Sequence, residues 1–302
     1  MLFALTRRHF LGAFALPQDV TFTTGVKVVN ILATVRTHTG EMVTDLSKDD
    51  FSILEDNRPQ KISYFARETD LPLTLGLLID TSMSQHKVLD AERRACFRFL
   101  DQVLRETKDK IFLLQFDMGV YVKQPLTASR KALDDALSFV DTPSRKELQM
   151  QVGGGTLLYD AVSKATEIMR PQTDRKAVII LSDGIDTGSH VPLQECIEAA
   201  QRTDTLIYGI YFTGESMPGG PDGAKILARM SKQSGGNYFA VAKKVSIEQI
   251  FDQIQSELRS QYSIGFVSDQ PVGYPAYRKL KVTTSNKNLI VQCREGYWPK
   301  RG

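Results

Sequence analysis

Cysteine is scarce in this 302-residue sequence, and its placement argues against two kinds of site. Only Cys96, Cys196 and Cys293 are present, an odd number with no C-x-x-C pair, so neither a disulfide framework nor a zinc–thiolate site is expected. Cys96 and Cys196 fall on the apolar stripes of two predicted helices. We therefore expect both to be small buried hydrophobic residues.

Charge of one sign is also scarce. The formal net charge is +3 at pH 7, and it falls by two, to +1, when Arg7 and Arg8 near the N-terminus are left out. No cluster of lysines and arginines runs along one segment. The sequence therefore lacks the electrostatic footprint of a nucleic-acid-binding protein.

Long apolar runs are missing after the N-terminus, so no segment there is expected to span a membrane. The N-terminus itself reads MLFALTRRHFLGAFALPQDV, with paired arginines, an apolar run over residues 10–16 and A-F-A at 13–15. This arrangement resembles a twin-arginine export signal. We expect residues 1–16 to be that signal and the mature protein to be periplasmic or extracellular. An ordinary amphipathic start is the alternative.

The sequence does contain the material for a core, since 42% of its residues are hydrophobic and 24% are charged. Residues 20–68 read as strands, because VKVVNILATV and DDFSILED are rich in β-branched and apolar residues and are bounded by turn signals. Strands return at 261–267, 277–284 and 288–293. Neither flank has enough strands to be stable alone, so we expect residues 20–68 and 261–298 to form one β domain. Two separate β appendages are the alternative.

Between the flanks, residues 71–260 alternate between apolar strands and amphipathic helices. The runs LTLGLLI (73–79) and KAVIILS (176–182) are continuously apolar, as in parallel strands that are buried on both faces. KIFLLQF and GVYVKQ flank a short D-M turn, which predicts a hairpin. The alternation predicts an α/β fold with a doubly wound, mostly parallel sheet.

The remaining elements follow from the same periodicities. Further strands are predicted at 110–116, 119–124, 205–211 and 237–241, and helices at 129–140, after the glycines at 153–155, and at 192–202, 222–234 and 246–260. The first helix is predicted from an apolar stripe that consists of Val88, Ala91, Ala95, Phe99 and Val103.

Three loops of the predicted fold carry hard oxygen ligands. In open α/β sheets, ligands bind outside the carboxyl ends of the strands, near the point where the strand order reverses. Asp80 stands at such an end in LTLGLLIDTSMSQHK, and Asp183 stands at another in LSDGID. Ser82 and Ser84 lie on the same side as Asp80 if that segment stays extended, and Thr156 begins a helix in GGGTLLYD. Two carboxylates and three hydroxyls suit Mg²⁺ or Mn²⁺ and not a thiolate-binding metal.

Each of these residues also has an ordinary structural explanation. Ser82 or Ser84 can cap the following helix, and Thr156 can cap its own. Asp183 can form a simple turn with Gly184. A shared site explains all of them at equivalent strand ends better than coincidence does.

A hydrolase is the competing function, because two of the four histidines, His86 and His190, lie near the serines and aspartates. However, D-T-S-M-S lacks the G-x-S-x-G elbow that exposes a nucleophile, and GGGTLLYD lacks the lysine and the spacing of a phosphate loop. Two-metal hydrolysis needs more carboxylates than the two at the strand ends, although Asp160 and Asp186 are close enough in sequence to be recruited. We therefore expect a binding protein and not an enzyme.

The segment D-T-S-M-S at 80–84, Thr156 in G-G-G-T and Asp183 in S-D-G resemble the D-x-S-x-S…T…D pattern of von Willebrand factor A domains. The similarity extends over residues 71–260, including IFLLQFDMGVYVKQPLT and LARMSKQSGGNYFAV. The flanks resemble those of the VWFA-related proteins that are abundant in acidobacteria. One departure is Met83, where glycine is common in the family. It leaves the ligands in place but puts a bulky apolar side chain beside them.

The resemblance implies a metal-ion-dependent adhesion site. In that site Ser82, Ser84 and Thr156 coordinate the ion, while Asp80 and Asp183 coordinate it directly or through water. An ion held in this way keeps an open coordination position, which a carboxylate from another protein can fill. The implied function is therefore Mg²⁺- or Mn²⁺-dependent adhesion to a protein partner that presents an Asp or Glu side chain.

Overall fold

The computed structural model describes residues 28–68, 71–143, 155–212, 222–270 and 276–299, so the predicted export signal lies outside the described residues. The strands are β1 (Val28–Thr37), β2 (Phe51–Glu55), β3 (Arg58–Gln60), β4 (Ile62–Glu68), β5 (Leu73–Asp80), β6 (Lys110–Phe116), β7 (Val120–Thr127), β8 (Arg175–Ser182), β9 (Thr205–Tyr211), β10 (Tyr238–Ala240), β11 (Gln261–Val267), β12 (Arg278–Thr284), β13 (Leu289–Gln292) and β14 (Gly296–Tyr297). The α-helices are α1 (Leu89–Val103), α2 (Arg130–Ser138), α3 (Leu158–Met169), α4 (Leu193–Arg202), α5 (Gly223–Ser234) and α6 (Ile247–Arg259).

The central sheet has the strand order β10-β9-β8-β5-β6-β7. Strand β7 runs antiparallel to β6, and the other neighbouring strands are parallel. This confirms the mostly parallel sheet and the hairpin, although β7 continues to Thr127, past the predicted end at 124. Every residue of β5 is buried, as expected of a strand that is covered on both faces.

Helices cover both faces of this sheet. Side chains of α1, α2 and α6 form one apolar cluster with the sheet, and Phe99 stacks on Phe251 there with ring centroids 4.3 Å apart. Side chains of α3, α4 and α5 form the cluster on the other face. Cys96 and Cys196 are free and fully buried, one in each cluster, as predicted. Among the described helices, none combines the length and the apolar character needed to cross a membrane.

The predicted stripe of the first helix is wrong at its start. Ala91 is exposed, Val88 is only partly buried, and Glu92 is fully buried. Ala95, Phe99 and Val103 are buried as predicted, so the phase of the helix is correct. Ala91 and Glu92 lie four and three residues before Ala95, and the first turn packs with Leu89 and Glu92 towards the core. A carboxylate thus occupies a position where the apolar pattern predicted a solvent-facing side chain.

The two flanks of the chain pair with each other, as predicted. One antiparallel sheet has the order β13-β1-β11-β4 and the other has the order β14-β12-β2-β3, so each contains strands from both ends of the chain. A single apolar cluster fills the space between the two sheets and includes Ile31, Ile53, Ile264 and Val282. The flanks therefore form the second, smaller β unit.

The strand order of the central sheet reverses beside β5. The chain passes from β5 to β6 on one side and later places β8 on the other side. The loops that follow β5 and β8 therefore leave the same edge of the sheet in different directions. This is the crevice in which open α/β sheets bind ligands.

Candidate metal centre

Asp80 ends β5 at the carboxyl edge of the sheet and is fully buried. One of its oxygens, Oδ2, accepts a hydrogen bond from the Ser182 hydroxyl at 2.6 Å, and the other accepts one from the Ser82 amide at 2.9 Å. Ser182 Oγ in turn accepts a hydrogen bond from the Gly184 amide at 2.9 Å. Asp80 therefore ties the loop after β5 to the loop after β8, and these donors are all neutral groups.

The hydroxyls of Ser82 and Ser84 lie 3.0 Å apart. The segment does not stay extended, because it turns into the 3₁₀ turn at Met83–Gln85, but the turn still brings the two hydroxyls together. Ser82 precedes this turn without a side-chain cap hydrogen bond, and the residue before α1 is Val88. Helix capping therefore does not account for either serine.

Thr156 is held between two loops of the carboxyl edge. Its amide donates to Thr187 Oγ1 at 2.8 Å, and the Thr187 amide donates to the Thr156 carbonyl at 3.1 Å. The next residue, Leu157, donates its amide to the carbonyl of Asp117 at 2.9 Å. Leu157, and not Thr156, is the residue before α3, and no side chain caps that helix. The cap explanation fails here as well.

Asp183 follows β8 and is 6% exposed. Its Oδ1 accepts a hydrogen bond from the Ile185 amide at 3.1 Å, so Asp183 does form the turn that the sequence allowed. Gly184 has a positive φ of 74°, and a Cβ atom there would lie 2.2 Å from the carbonyl oxygen of Gly223. The first residue of α5 thus packs directly against this turn and fixes its position.

Asp117, which the sequence did not single out, organises the same edge. Its Oδ2 accepts the Thr81 hydroxyl at 2.7 Å, its Oδ1 accepts the Gly119 amide at 3.2 Å, and its carbonyl accepts the Leu157 amide. In the sequence Asp117 belongs to the D-M turn of the predicted hairpin, and this pattern predicts a turn but no further role for Asp117. Asp117 connects the loops that carry Asp80 and Thr156.

The edge concentrates negative charge. Burial raises the pKa of Asp80 to about 7 and the charge of Asp183 adds to the rise, while hydrogen bonds from Ser182 and Ser82 oppose it. Among the described residues, no lysine or arginine forms an ion pair with either carboxylate. The loops therefore hold two neighbouring acidic groups that have only neutral partners.

Glu92, on the first turn of α1, is a third acidic group near this edge. Burial, followed by the charges of Asp80 and Asp183, raises the pKa of Glu92 well above its ordinary value. Even so, no three acidic, histidine or cysteine side chains among the described residues converge closely enough to hold an ion alone. A cation at this edge would therefore need ligand oxygens besides these carboxylates, and the hydroxyls of Ser82 and Ser84 are the nearest candidates on the loop after Asp80.

The two histidines of the competing hydrolase reading have other partners. His86 Nδ1 lies 3.2 Å from the Thr142 hydroxyl, and His190 Nδ1 lies 3.0 Å from Asp160 Oδ2. Asp160 also accepts the His190 and Val191 amides, so it anchors the loop after β8. In the part of the chain that the structure describes, neither histidine forms a hydrogen bond with a serine of the site.

Asp186, the other carboxylate that a two-metal hydrolase could recruit, also has a structural role. It accepts the Tyr159 amide at 3.1 Å and hydrogen bonds from the Ser189 amide and hydroxyl. These bonds join the start of α3 to the loop after β8. Asp186 therefore holds the loops together and is not free to bind a second ion.

Of the predicted site residues, the structure brings together Asp80, Ser82 and Ser84. It connects Thr156 and Asp183 to them through hydrogen bonds between the loops.

Comparisons with solved structures give the same fold. Proximal thread matrix protein 1 from the mussel byssus aligns with a TM-score of 0.53 and 14% identity, which covers 68% of this chain and 51% of that one. A structure of the same protein with a zinc-occupied MIDAS motif aligns with a TM-score of 0.51 and 14% identity over 68% of this chain and 50% of that one. The chain thus spans about half the length of the mussel protein.

A third structure, conserved hypothetical protein BatB from Bacteroides thetaiotaomicron, aligns with a TM-score of 0.48 and 17% identity over 63% of this chain and 100% of that one. A search of curated proteins gives no match. The family model described as von Willebrand factor type A domain matches residues 74–239, which is more than half of the chain. The protein therefore belongs to the von Willebrand factor type A domain family.

Proposed function

We propose that the protein is a metal-dependent adhesion or scaffold module. In this proposal Ser82, Ser84 and Thr156 coordinate a divalent cation, and Asp80 and Asp183 coordinate it directly or through water. The bound ion then captures an Asp or Glu side chain of a partner protein. Binding through a shared ion makes and breaks no covalent bond, so the module needs no catalytic residue.

One observation carries this proposal: the carboxyl edge of the sheet holds buried acidic groups whose described partners are all neutral. Asp80 is fully buried and accepts only a hydroxyl and an amide. A buried carboxylate without a compensating charge is costly. A cation bound beside Asp80 and Asp183 supplies that charge, and the paired hydroxyls of Ser82 and Ser84 supply further ligand oxygens.

The donor set fits a hard divalent ion. Carboxylate and hydroxyl oxygens suit Mg²⁺ and Mn²⁺, and Cys96, Cys196 and Cys293 stand away from the site sequences. The zinc-occupied MIDAS motif of the mussel protein supports a divalent ion at this position of the fold. We favour Mg²⁺ or Mn²⁺ because the ligands proposed here contain no sulfur or imidazole.

The ligand charges also favour capture of a carboxylate. Three of the five proposed ligands are neutral hydroxyls, and an aspartate that binds through water neutralises the ion less than a direct ligand does, so the ion keeps part of its attraction for an anion. An incoming carboxylate gains both a coordination bond and that residual attraction. The twin arginines at Arg7 and Arg8 support export, which would place the module where it meets proteins of the cell envelope or the medium.

A hydrolase is less well supported, because the hydrogen-bond partners of His86 and His190 are Thr142 and Asp160 and not a serine of the site.

The proposal is tested with short peptides that carry a single Asp or Glu. Each is paired with a control peptide in which Asn or Gln replaces the acidic residue. We expect the full chain to bind the acidic peptides in Mg²⁺ and to lose them in a chelator. Ser84→Ala should weaken the binding, and Ser138→Ala, which removes an exposed hydroxyl of α2, should not. Equal binding of the acidic and amide peptides, or binding that persists in the chelator, contradicts the proposal.

A further inference from the structure

Glu92 is a fully buried acidic residue without a described hydrogen-bond partner. Both of its carboxylate oxygens are inaccessible to solvent, and neither accepts a hydrogen bond from the described residues. Gln85, one residue after Ser84, is also fully buried, and its Oε1 has no partner either. Gln85 Nε2 lies 3.5 Å from the Ser84 hydroxyl. The loop that carries two proposed ligands thus continues into Gln85, with one unpartnered buried oxygen, and Glu92 on the first turn of α1 adds two more.

Packing does not explain an acidic side chain at this position. The neighbours of Glu92 on the buried face of α1 are Leu89, Ala95 and Cys96, which are apolar and fully or almost fully buried. A leucine or methionine would continue that face at lower cost, since an unpaired buried carboxylate destabilises a folded protein. A positive charge close to Glu92 would offset this cost.

The charges that act on Glu92 come from the proposed metal centre. The carboxylates of Asp80 and Asp183 both repel the Glu92 carboxylate. No described lysine or arginine forms an ion pair with Glu92. A divalent cation held between Asp80 and Asp183 would cancel this repulsion, because its two positive charges balance the two carboxylate charges.

We infer that Glu92 is a positioning residue of the metal centre, whose carboxylate strengthens cation binding from the buried side of the site without being a direct ligand. The inference rests on the proposed function. Direct coordination is not part of it, because no three acidic, histidine or cysteine side chains in the described ranges converge tightly enough. Glu92 acts instead through the electrostatic field, and it makes the buried side of the site more negative than the five proposed ligands alone do.

The test is a calorimetric titration of Mn²⁺ and Mg²⁺ into the chelator-stripped full chain. Glu92→Gln should bind Mn²⁺ about 10- to 100-fold more weakly than the wild type, as typically follows the loss of a group behind the ligands. The matched control is Asp90→Asn, which removes one negative charge from the solvent-facing side of the same helix. Asp90→Asn should bind within about twofold of the wild type, since exposed charges are screened. Glu92→Asp, which keeps the charge, should bind more tightly than Glu92→Gln.

Thermal unfolding supplies a second readout that a purely structural role would not produce. In a chelator, Glu92→Gln should unfold at a higher temperature than the wild type, because it removes an uncompensated buried charge. In saturating Mn²⁺ this advantage should shrink or reverse. A residue that only packs would lower the unfolding temperature in both conditions.

Two outcomes separate this inference from the proposed function. If Asp183→Ala loses Mn²⁺ and Glu92→Gln binds it like the wild type, the five-residue site stands and the role of Glu92 is wrong. If Asp183→Ala binds Mn²⁺ like the wild type, the proposed site itself is wrong. Equal weakening in Glu92→Asp and Glu92→Gln also contradicts a role that depends on charge.

Discussion

Strand β5 has a buried acidic group at each end, and the two ends differ in their partners. At the amino end, Asp109 accepts the Leu73 amide at 2.9 Å and lies between two arginines, with Arg105 Nε at 2.9 Å and an Arg259 guanidinium nitrogen at 2.7 Å. At the carboxyl end, Asp80 accepts only neutral donors. The acidic group at the amino end is thus paired with two arginine side chains, whereas the one at the carboxyl end has no arginine or lysine partner among the described residues.

The two pKa values follow from this difference. Burial would raise the pKa of Asp109, but hydrogen bonds from Arg105 and Arg259 and the charge of Arg259 lower it to about 2. Burial raises the pKa of Asp80 to about 7. The amino end is thus a closed junction that joins α6 to the sheet, whereas at the carboxyl end the described partners of Asp80 are all neutral.

The largest expected effect breaks the closed end. Asp109→Ala leaves Arg105 and Arg259 without their shared partner, so we expect the free energy of unfolding to fall by about 4 kcal/mol. Denaturant unfolding measures this loss. Asp135→Ala is the control, because it removes the exposed ion pair with Lys131 and should leave the stability nearly unchanged. A similar loss in both variants would mean that the junction is no stronger than a surface pair.

The open end should respond to pH in the opposite way. A carboxyl group whose pKa is raised by folding binds its proton more tightly in the folded state, so it lowers stability as pH rises from about 4 to about 7. In a chelator we expect Asp80 to contribute a decline of about 3 kcal/mol over this window. Saturating Mg²⁺ should remove the decline, and Asp80→Asn should lack it.

Asp109 should show the opposite dependence, because folding lowers its pKa. The stability that Asp109 contributes is present above about pH 4 and is lost as the pH falls from about 4 towards 2.

A smaller effect is expected at Asp117, an acidic residue of the carboxyl edge that is fully partnered. Asp117→Ala removes the acceptor of Thr81 and Gly119, so the free energy of unfolding should fall by about 2 kcal/mol with or without metal. Asp117→Asn keeps one acceptor and should lose less. A stability loss that appears only in the presence of Mn²⁺ would instead assign Asp117 to the metal centre.

The smallest effect is expected at Met83, which is 52% exposed beside the proposed ligands. Met83→Gly adds backbone freedom in the 3₁₀ turn, so it should cost less than about 1 kcal/mol. Its Mn²⁺ affinity should stay within about twofold of the wild type, as titration calorimetry can show. A large loss of affinity would mean that the methionine side chain holds the loop in place.

The strand ends that carry Asp80 and Asp183 could be predicted from the sequence because a buried parallel strand has a clear signature. LTLGLLID predicts both a buried strand and the acidic residue that ends it. KAVIILS followed by Asp183 and Gly184 predicts β8 and the acidic residue that follows it. The mixing of the flanks could also be predicted, since neither flank has enough strands to be stable alone. These inferences use local pattern and simple counting.

Glu92 could not be predicted, because local pattern assigns acidic residues to the exposed face of a helix. Ala91 and Glu92 lie four and three residues before the buried Ala95, so either position fits beside the stripe, and tertiary packing places Glu92 and not Ala91 in the core. The partners of Asp117 were hidden for a similar reason: the D-M turn predicts a hairpin but not the hydrogen bonds to Thr81 and to the loop of Thr156. Such contacts depend on tertiary structure that no short window contains.

Calorimetric titration of Mn²⁺ into the chelator-stripped wild type, Asp183→Ala and Asp141→Ala tests the central claim most directly. Asp141 is exposed at the same end of the sheet, so its variant controls for the loss of one carboxylate. The account predicts one ion per chain for the wild type and for Asp141→Ala, and no measurable binding for Asp183→Ala. No binding by the wild type, or equal binding by all three proteins, would contradict the claim that the carboxyl edge of the sheet is a cation site.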